Sequence, residues 1–106
     1  VYDDIPLKFG SWTPGNAYAG YKGLSNMRLA IRISQNTVAI QTLDDLTPEK
    51  SLSYLKRLGV TSMNSERDNN LSLALGGITK GISPLQMAGA YAAIANDGEY
   101  IDLYSV

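Results

Sequence analysis

The segment that most restricts what this chain can fold into is residues 83–98, SPLQMAGAYAAIANDG. Ser83, Pro84 and Gln86 fit a capping box: a hydroxyl N-cap, proline at the first helical position, and a carboxamide placed to return a bond to the Ser83 amide. Leu85, Ala88, Ala92 and Ala95 form one stripe at helical spacing, with Met87, Tyr91 and Ile94 beside it. Five alanines lie between Ala88 and Ala95, so neighbouring elements can come close and a buried helix is expected. Asn96-Asp97-Gly98 ends it.

The other elements are placed by similar punctuation. Asn26 is an N-cap for a short helix over residues 26–33, with Met27, Ala30 and Ile31 on one face. Ser34-Gln35-Asn36 breaks that pattern, and a second helix is expected from Thr37 to Leu46. Thr47-Pro48 starts a third helix, with Leu52, Leu55 and Leu58 on its apolar face and Gly59 suited to a left-handed C-terminal position. Residues 60–70 are polar and predict a solvated loop, including Glu66, Arg67 and Asp68. The adjacent pairs Asp3-Asp4 and Asp44-Asp45 are likewise expected at a solvated surface. Residues 1–23 carry turn signals at Phe9-Gly10, Thr13-Pro14-Gly15-Asn16, Gly20 and Gly23, interleaved with Trp12, Tyr18 and Tyr21. They predict an irregular, aromatic-rich arm that covers something else. Residues 99–106 are expected to begin a strand.

Composition removes whole classes of chemistry. The 106 residues hold no cysteine and no histidine. That excludes a disulfide framework, a cysteine nucleophile, a Ser-His-Asp triad and histidine or thiolate metal sites, and no cofactor or metal is expected. Any serine chemistry needs another base, such as lysine. Nine basic and ten acidic residues give a net charge of -1 without a basic cluster, so no nucleic-acid or anionic-membrane surface is expected. No apolar run approaches the ~20 residues that span a bilayer, and no membrane contact by this segment is expected. With Val1 in first place and no signal peptide, an internal piece of a longer chain is expected.

Ser34-Gln35-Asn36 alone favours a helix-to-helix junction, with Ser34 closing one helix and Asn36 capping the next. Its context points further. Residues 26–40, NMRLAIRISQNTVAI, resemble the penicillin-binding protein stretch in which a short helix delivers an S-x-N motif to the cleft, matching at Ser34, Asn36, Ala39 and Ile40. Residues 73–98, LALGGITKGISPLQMAGAYAAIANDG, resemble a second long signature of that family, in register with Ser34. Thr13, Pro14 and Asn16 resemble the turn-rich segment before the S-x-N helix. Ser-Gln-Asn, Leu-Gly-Gly and Thr-Lys-Gly together resemble the class A, bifunctional type. Leu29 and Ile33 depart from the family, which often has Glu and a polar residue there.

The resemblance implies a mainly α chain: a helical subdomain fragment of the α/β serine transpeptidase (β-lactamase-like) fold. Residues 1–106 would be a partial transpeptidase domain, with the arm at 1–23, a helical subdomain at 24–98 and the start of a strand at 99–106. In such enzymes S-x-x-K, S-x-N and K-T-G converge. The S-x-x-K serine attacks the D-Ala-D-Ala carbonyl of a peptidoglycan stem peptide, or a β-lactam, with its lysine as base. By matching position, Ser34 is the catalytic hydroxyl relaying a proton toward the leaving nitrogen, and Asn36 is the substrate-binding carboxamide. Neither partner motif is expected within the chain: S-x-x-K would precede Val1 and K-T-G would follow Val106. Lys80, in a T-K-G order, is expected to be structural or at the surface. The implied partners are the stem peptide, β-lactams and the remainder of the domain, on the extracytoplasmic face of a membrane-anchored bacterial protein. The alternative is a non-catalytic helical module that binds peptidoglycan or a cell-wall synthesis partner.

Overall fold

The computed structural model describes residues 1–103 and divides into two compact units, residues 1–46 and a second beginning at Thr47. Among the described residues, four α-helices, one 3₁₀ turn and one two-stranded sheet make up the regular structure.

In the first unit, β1 (Tyr2–Asp4) pairs antiparallel with β2 (Gly23–Ser25), in the register Tyr2 to Ser25 and Asp4 to Gly23. The arm is therefore not irregular throughout. A three-residue strand is too short for alternation to reveal it, and its partner lies about twenty residues away. Phe9 and Trp12 close the connection with reciprocal backbone hydrogen bonds of 2.7 and 3.0 Å. Helix α1 (Met27–Arg32) starts at Asn26, whose side chain accepts from the Leu29 amide at 2.9 Å. Helix α2 (Asn36–Leu46) packs on α1 and β1. Ala30, Val38, Ile40 and Leu43 form the apolar core. Asp4, Ser25, Gln35 and Thr37 are buried with them. Asp4 thus corrects the expected solvated Asp3-Asp4 pair, for it is wholly buried.

In the second unit, α3 (Pro48–Arg57) is capped by Thr47, which accepts from the Lys50 amide. Its C-terminus is a Schellman turn: the Gly59 amide donates to Lys56 O at 3.1 Å and the Val60 amide to Leu55 O at 2.9 Å. Gly59 has φ +81°, and a Cβ there would collide with the Tyr100 ring. Gly59→Ala should therefore destabilise by at least about 2 kcal/mol, through left-handed strain plus the clash, seen as a lowered urea midpoint.

The polar stretch after Val60 is not a fully solvated loop. Asp68 is buried and accepts from the Asn64 amide at 2.6 Å and from the Thr79 amide and hydroxyl, both at 2.8 Å. Glu66 and Arg67 are exposed as expected. The 3₁₀ turn Leu71–Leu75 ends at left-handed Gly76, and Gly77 lies against Ser72.

Helix α4 (Pro84–Ala95) begins where the capping signal put it, with Ser83 Oγ accepting from the Gln86 amide at 3.1 Å. The other half of the box is absent: the Gln86 carboxamide donates instead to Thr61 Oγ1 at 3.0 Å. Nor is α4 a buried helix. Gly89 and Ala93 alone are buried along it, against the segment that ends at Leu103, while Tyr91 is 67% and Ile94 65% exposed. Among the described residues of this unit none covers the Met87–Tyr91–Ile94 face, and Leu85 on the other side of the helix is exposed as well. Residues 99–103 form no strand, and the rest of the expected strand lies outside the described residues.

Candidate functional site

The S-x-N triplet occupies the joint between α1 and α2, and backbone geometry explains its shape. Ile33 is the C-cap of α1. The Ser34 amide then donates to Ile31 O at 3.2 Å and the Gln35 amide to Ala30 O at 2.9 Å. Those two bonds are a Schellman motif, which puts Ser34 at the position normally held by a left-handed glycine. Ser34 indeed has φ +56°, rare for a residue with a Cβ. It therefore does close the first helix, at the expense of backbone strain. The chain turns sharply there, leaving Ser34 exposed, Gln35 buried and Asn36 half-buried in succession.

Asn36 does not cap α2 with its side chain. Asn16 does so from the arm: its Oδ1 accepts from the Asn36 amide at 2.9 Å and the Thr37 amide at 3.4 Å. Asn36 Nδ2 donates to Gly15 O at 2.9 Å. This fixes one amide hydrogen on the arm and leaves the other hydrogen and the carbonyl lone pairs for a ligand. The Thr13-Pro14-Gly15-Asn16 turn is thus the clamp on the triplet.

Beneath it lies Asp4. Its carboxylate accepts from Asn16 Nδ2 at 2.7 Å, the Lys22 amide at 2.9 Å, Gln35 Nε2 at 3.3 Å, the Tyr18 hydroxyl and the Thr37 hydroxyl. Burial would raise its pKa, but the Thr37, Tyr18, Asn16 and Lys22 donors outweigh that and hold it below the usual carboxylate range. The Tyr18 phenol is pushed up by burial and by its bond to Asp4. The Lys22 ammonium lies 4.9 Å from the centre of the Tyr18 ring. Gln35 also donates to Ser25 Oγ at 3.0 Å. Sequence inspection missed Asp4, Gln35 and Thr37 because their common trait is burial around one carboxylate.

Two further motif spacings needed the structure to be weighed. The expectation that the chain holds no S-x-x-K spacing is wrong: Ser53-Tyr54-Leu55-Lys56 has it, on α3. Both Ser53 and Lys56 are exposed, whereas a lysine acting as base must be desolvated or crowded by other cations. They border an open cavity of about 470 Å³ with Leu52, Val60, Thr61, Met63 and Ser65. Ser62-Met63-Asn64 repeats the S-x-N spacing. There Ser62 Oγ donates to Gly81 O at 2.7 Å, and Asn64 Oδ1 accepts from the Glu66 and Arg67 amides, so both side chains serve loop structure. Lys80 is exposed, while Thr79 beside it binds Asp68. Among the described residues no cluster of acidic side chains could hold a metal ion, and no helix is long and apolar enough to cross a membrane.

The joint therefore presents a strained, exposed serine two residues before a carboxamide anchored at a helix start. The family model described as penicillin binding protein transpeptidase domain matches residues 2–106, and the chain belongs to that family. Penicillin-binding protein 1F of Bacillus subtilis (strain 168) is 40% identical over 98 residues, 92% of this chain. Penicillin-binding protein 1A of Clostridium botulinum (strain Hall) is 34% identical over 105 residues, 96% of this chain. Penicillin-binding protein 1A of Pseudomonas aeruginosa PAO1 is 34% identical over 112 aligned positions that take in 100% of this chain. The chain spans 13% of the length of each of these relatives.

Proposed function

We propose that the whole protein is a class A peptidoglycan transpeptidase that cross-links stem peptides through a serine acyl-enzyme and is acylated by β-lactams. It would act at the extracytoplasmic face, anchored in the membrane by a part other than this segment. In this reading residues 1–106 belong to its transpeptidase domain, of the α/β serine transpeptidase fold, and supply one wall of the site. Ser34 relays a proton between the catalytic lysine and the leaving D-alanine nitrogen. Asn36 holds a carbonyl or amide of the stem peptide.

One observation carries the reading: in a chain of the transpeptidase family, Ser34 is exposed in a left-handed conformation two residues before an anchored Asn36. A hydroxyl donates and accepts, so it can pass a proton on; unaided it is too weak a base to start the reaction. Fixing both residues at helix ends provides the preorganisation such a relay needs.

The test is covalent labelling. Full-length protein incubated with a fluorescent penicillin should gain one adduct by intact mass, on a serine outside residues 1–106. The 106-residue chain alone should gain none. An adduct mapped to Ser53 would mean that the S-x-x-K spacing on α3 is the reactive one. A full-length protein that never labels would favour the non-catalytic binding module.

A further inference from the structure

We propose that Asp4 is a positioning residue for the acylation reaction, setting the placement of Ser34 and Asn36 through Gln35, Thr37 and Asn16. The proposal rests on the reading of Ser34 as a proton relay.

Asp4 touches neither Ser34 nor Asn36, yet it holds the residues on each side of them. Gln35, between the two, donates to it from a side chain only 2% exposed. Thr37, directly after Asn36, gives it a hydroxyl bond. Asn16 donates its amide to Asp4, and its carbonyl oxygen takes the Asn36 and Thr37 amides. The carboxylate therefore fixes the triplet at three points, two directly and one through the arm.

The arrangement also carries a penalty that packing alone would avoid. Gln35 Oε1 is buried with no hydrogen-bond partner among the described residues. An orphaned buried acceptor costs roughly 1–3 kcal/mol. An apolar side chain there would escape that cost but would lose the bonds to Asp4 and Ser25. With Gln35 drawn inward, Ser34 must turn outward through its left-handed φ, since the next residue is held in the interior. The chemistry is sensitive to such placement, because a shift near 1 Å can slow a positioned reaction on the order of 100-fold.

The decisive variants leave Asp4 in place, since removing it threatens folding. In the full-length protein, Thr37→Val deletes the hydroxyl while keeping side-chain shape, and Thr37→Ser keeps the hydroxyl. Thr37→Val should slow acylation by a fluorescent penicillin about tenfold or more at a temperature where circular dichroism shows it fully folded. Thr37→Ser should stay within about threefold of the parent. In a background lacking both groups, Ser34→Ala with Asn36→Ala, Thr37→Val should change the rate by less than about twofold, because its effect passes through those two residues. Equal slowing in both backgrounds would make Thr37 merely structural and overturn the proposal. So would a Thr37→Val protein that reacts at the parent rate while Ser34→Ala is slow. If Ser34→Ala itself reacts at the parent rate, the relay reading fails instead, and the positioning claim falls with it.

Discussion

Ser34→Gly should make the protein more stable and, in the same molecule, close to inactive. Ser34 holds the C′ position of the turn that ends α1, where φ is +56°. A Cβ in that conformation costs roughly 1–2 kcal/mol, and glycine gives part of that back through its larger unfolded-state entropy. A net gain of about 0.5–1 kcal/mol is expected, read as a higher urea midpoint with an unchanged slope. In the proposed relay role, loss of the hydroxyl removes a proton-transfer group, and such groups contribute on the order of 10²–10⁴-fold to rate. Penicillin acylation of the full-length protein should fall by at least about 100-fold. Ser34→Ala separates the two effects: it should show the same loss of rate without the gain in stability. A glycine variant that acylates normally would remove Ser34 from the chemistry. One that is less stable than the parent would show that the turn is not what sets its conformation.

The second large effect belongs to Asp4. Asp4→Ala leaves the Thr37, Tyr18, Asn16, Gln35 and Lys22 donors facing a cavity without an acceptor. A loss on the order of 3 kcal/mol is expected by urea unfolding, a large share of the stability of a small unit. The pH dependence has a defined sign. The Asp4 carboxyl titrates below its ordinary value when folded, so its contribution is fully present above the unfolded-state pKa near 3.9. It is lost as pH falls through the folded value. The Tyr18 phenol is the titratable side chain bonded to it, and that group stays neutral throughout this range. Asp68 is held low in the same sense by the Asn64 amide and by Thr79, so the second unit should also weaken in acid. Unfolding midpoints of the parent should therefore drop below about pH 4, and Asp4→Asn should remove part of that drop. An Asp4→Asn protein with the parent's full acid sensitivity would show that Asp4 is not the group responsible.

Much of the secondary structure could be read from local signals. Asn26, Thr47-Pro48 and Ser83-Pro84 start helices where expected, because a cap is a short-range bond between a side chain and the next turn. Gly59 ends α3 where expected, because glycine announces a left-handed position. Ser34 and Asp97 adopt the same conformation without that announcement, so their geometry was hidden. The capping box at Ser83 was half legible. The main-chain bond is local, but Gln86 found a better partner in Thr61, 25 residues away in the chain. The alanine stripe of α4 marked a surface capable of close packing, but small side chains only permit an approach. In this unit the approach is realised at Gly89 and Ala93 alone.

The sequence by itself determined which residue types meet at the α1–α2 joint, where the helices around it start, and which chemistries are excluded by the lack of histidine and cysteine. The tertiary structure alone decided that Asp4 is buried rather than solvated and that Asn16 rather than Asn36 caps α2. It also distinguished one S-x-N triplet held exposed from another consumed by its loop. The physical reason is range. Helix caps and turns are set within a few residues. A buried carboxylate is affordable only when donors from across the chain surround it, and those donors come together only in the folded unit.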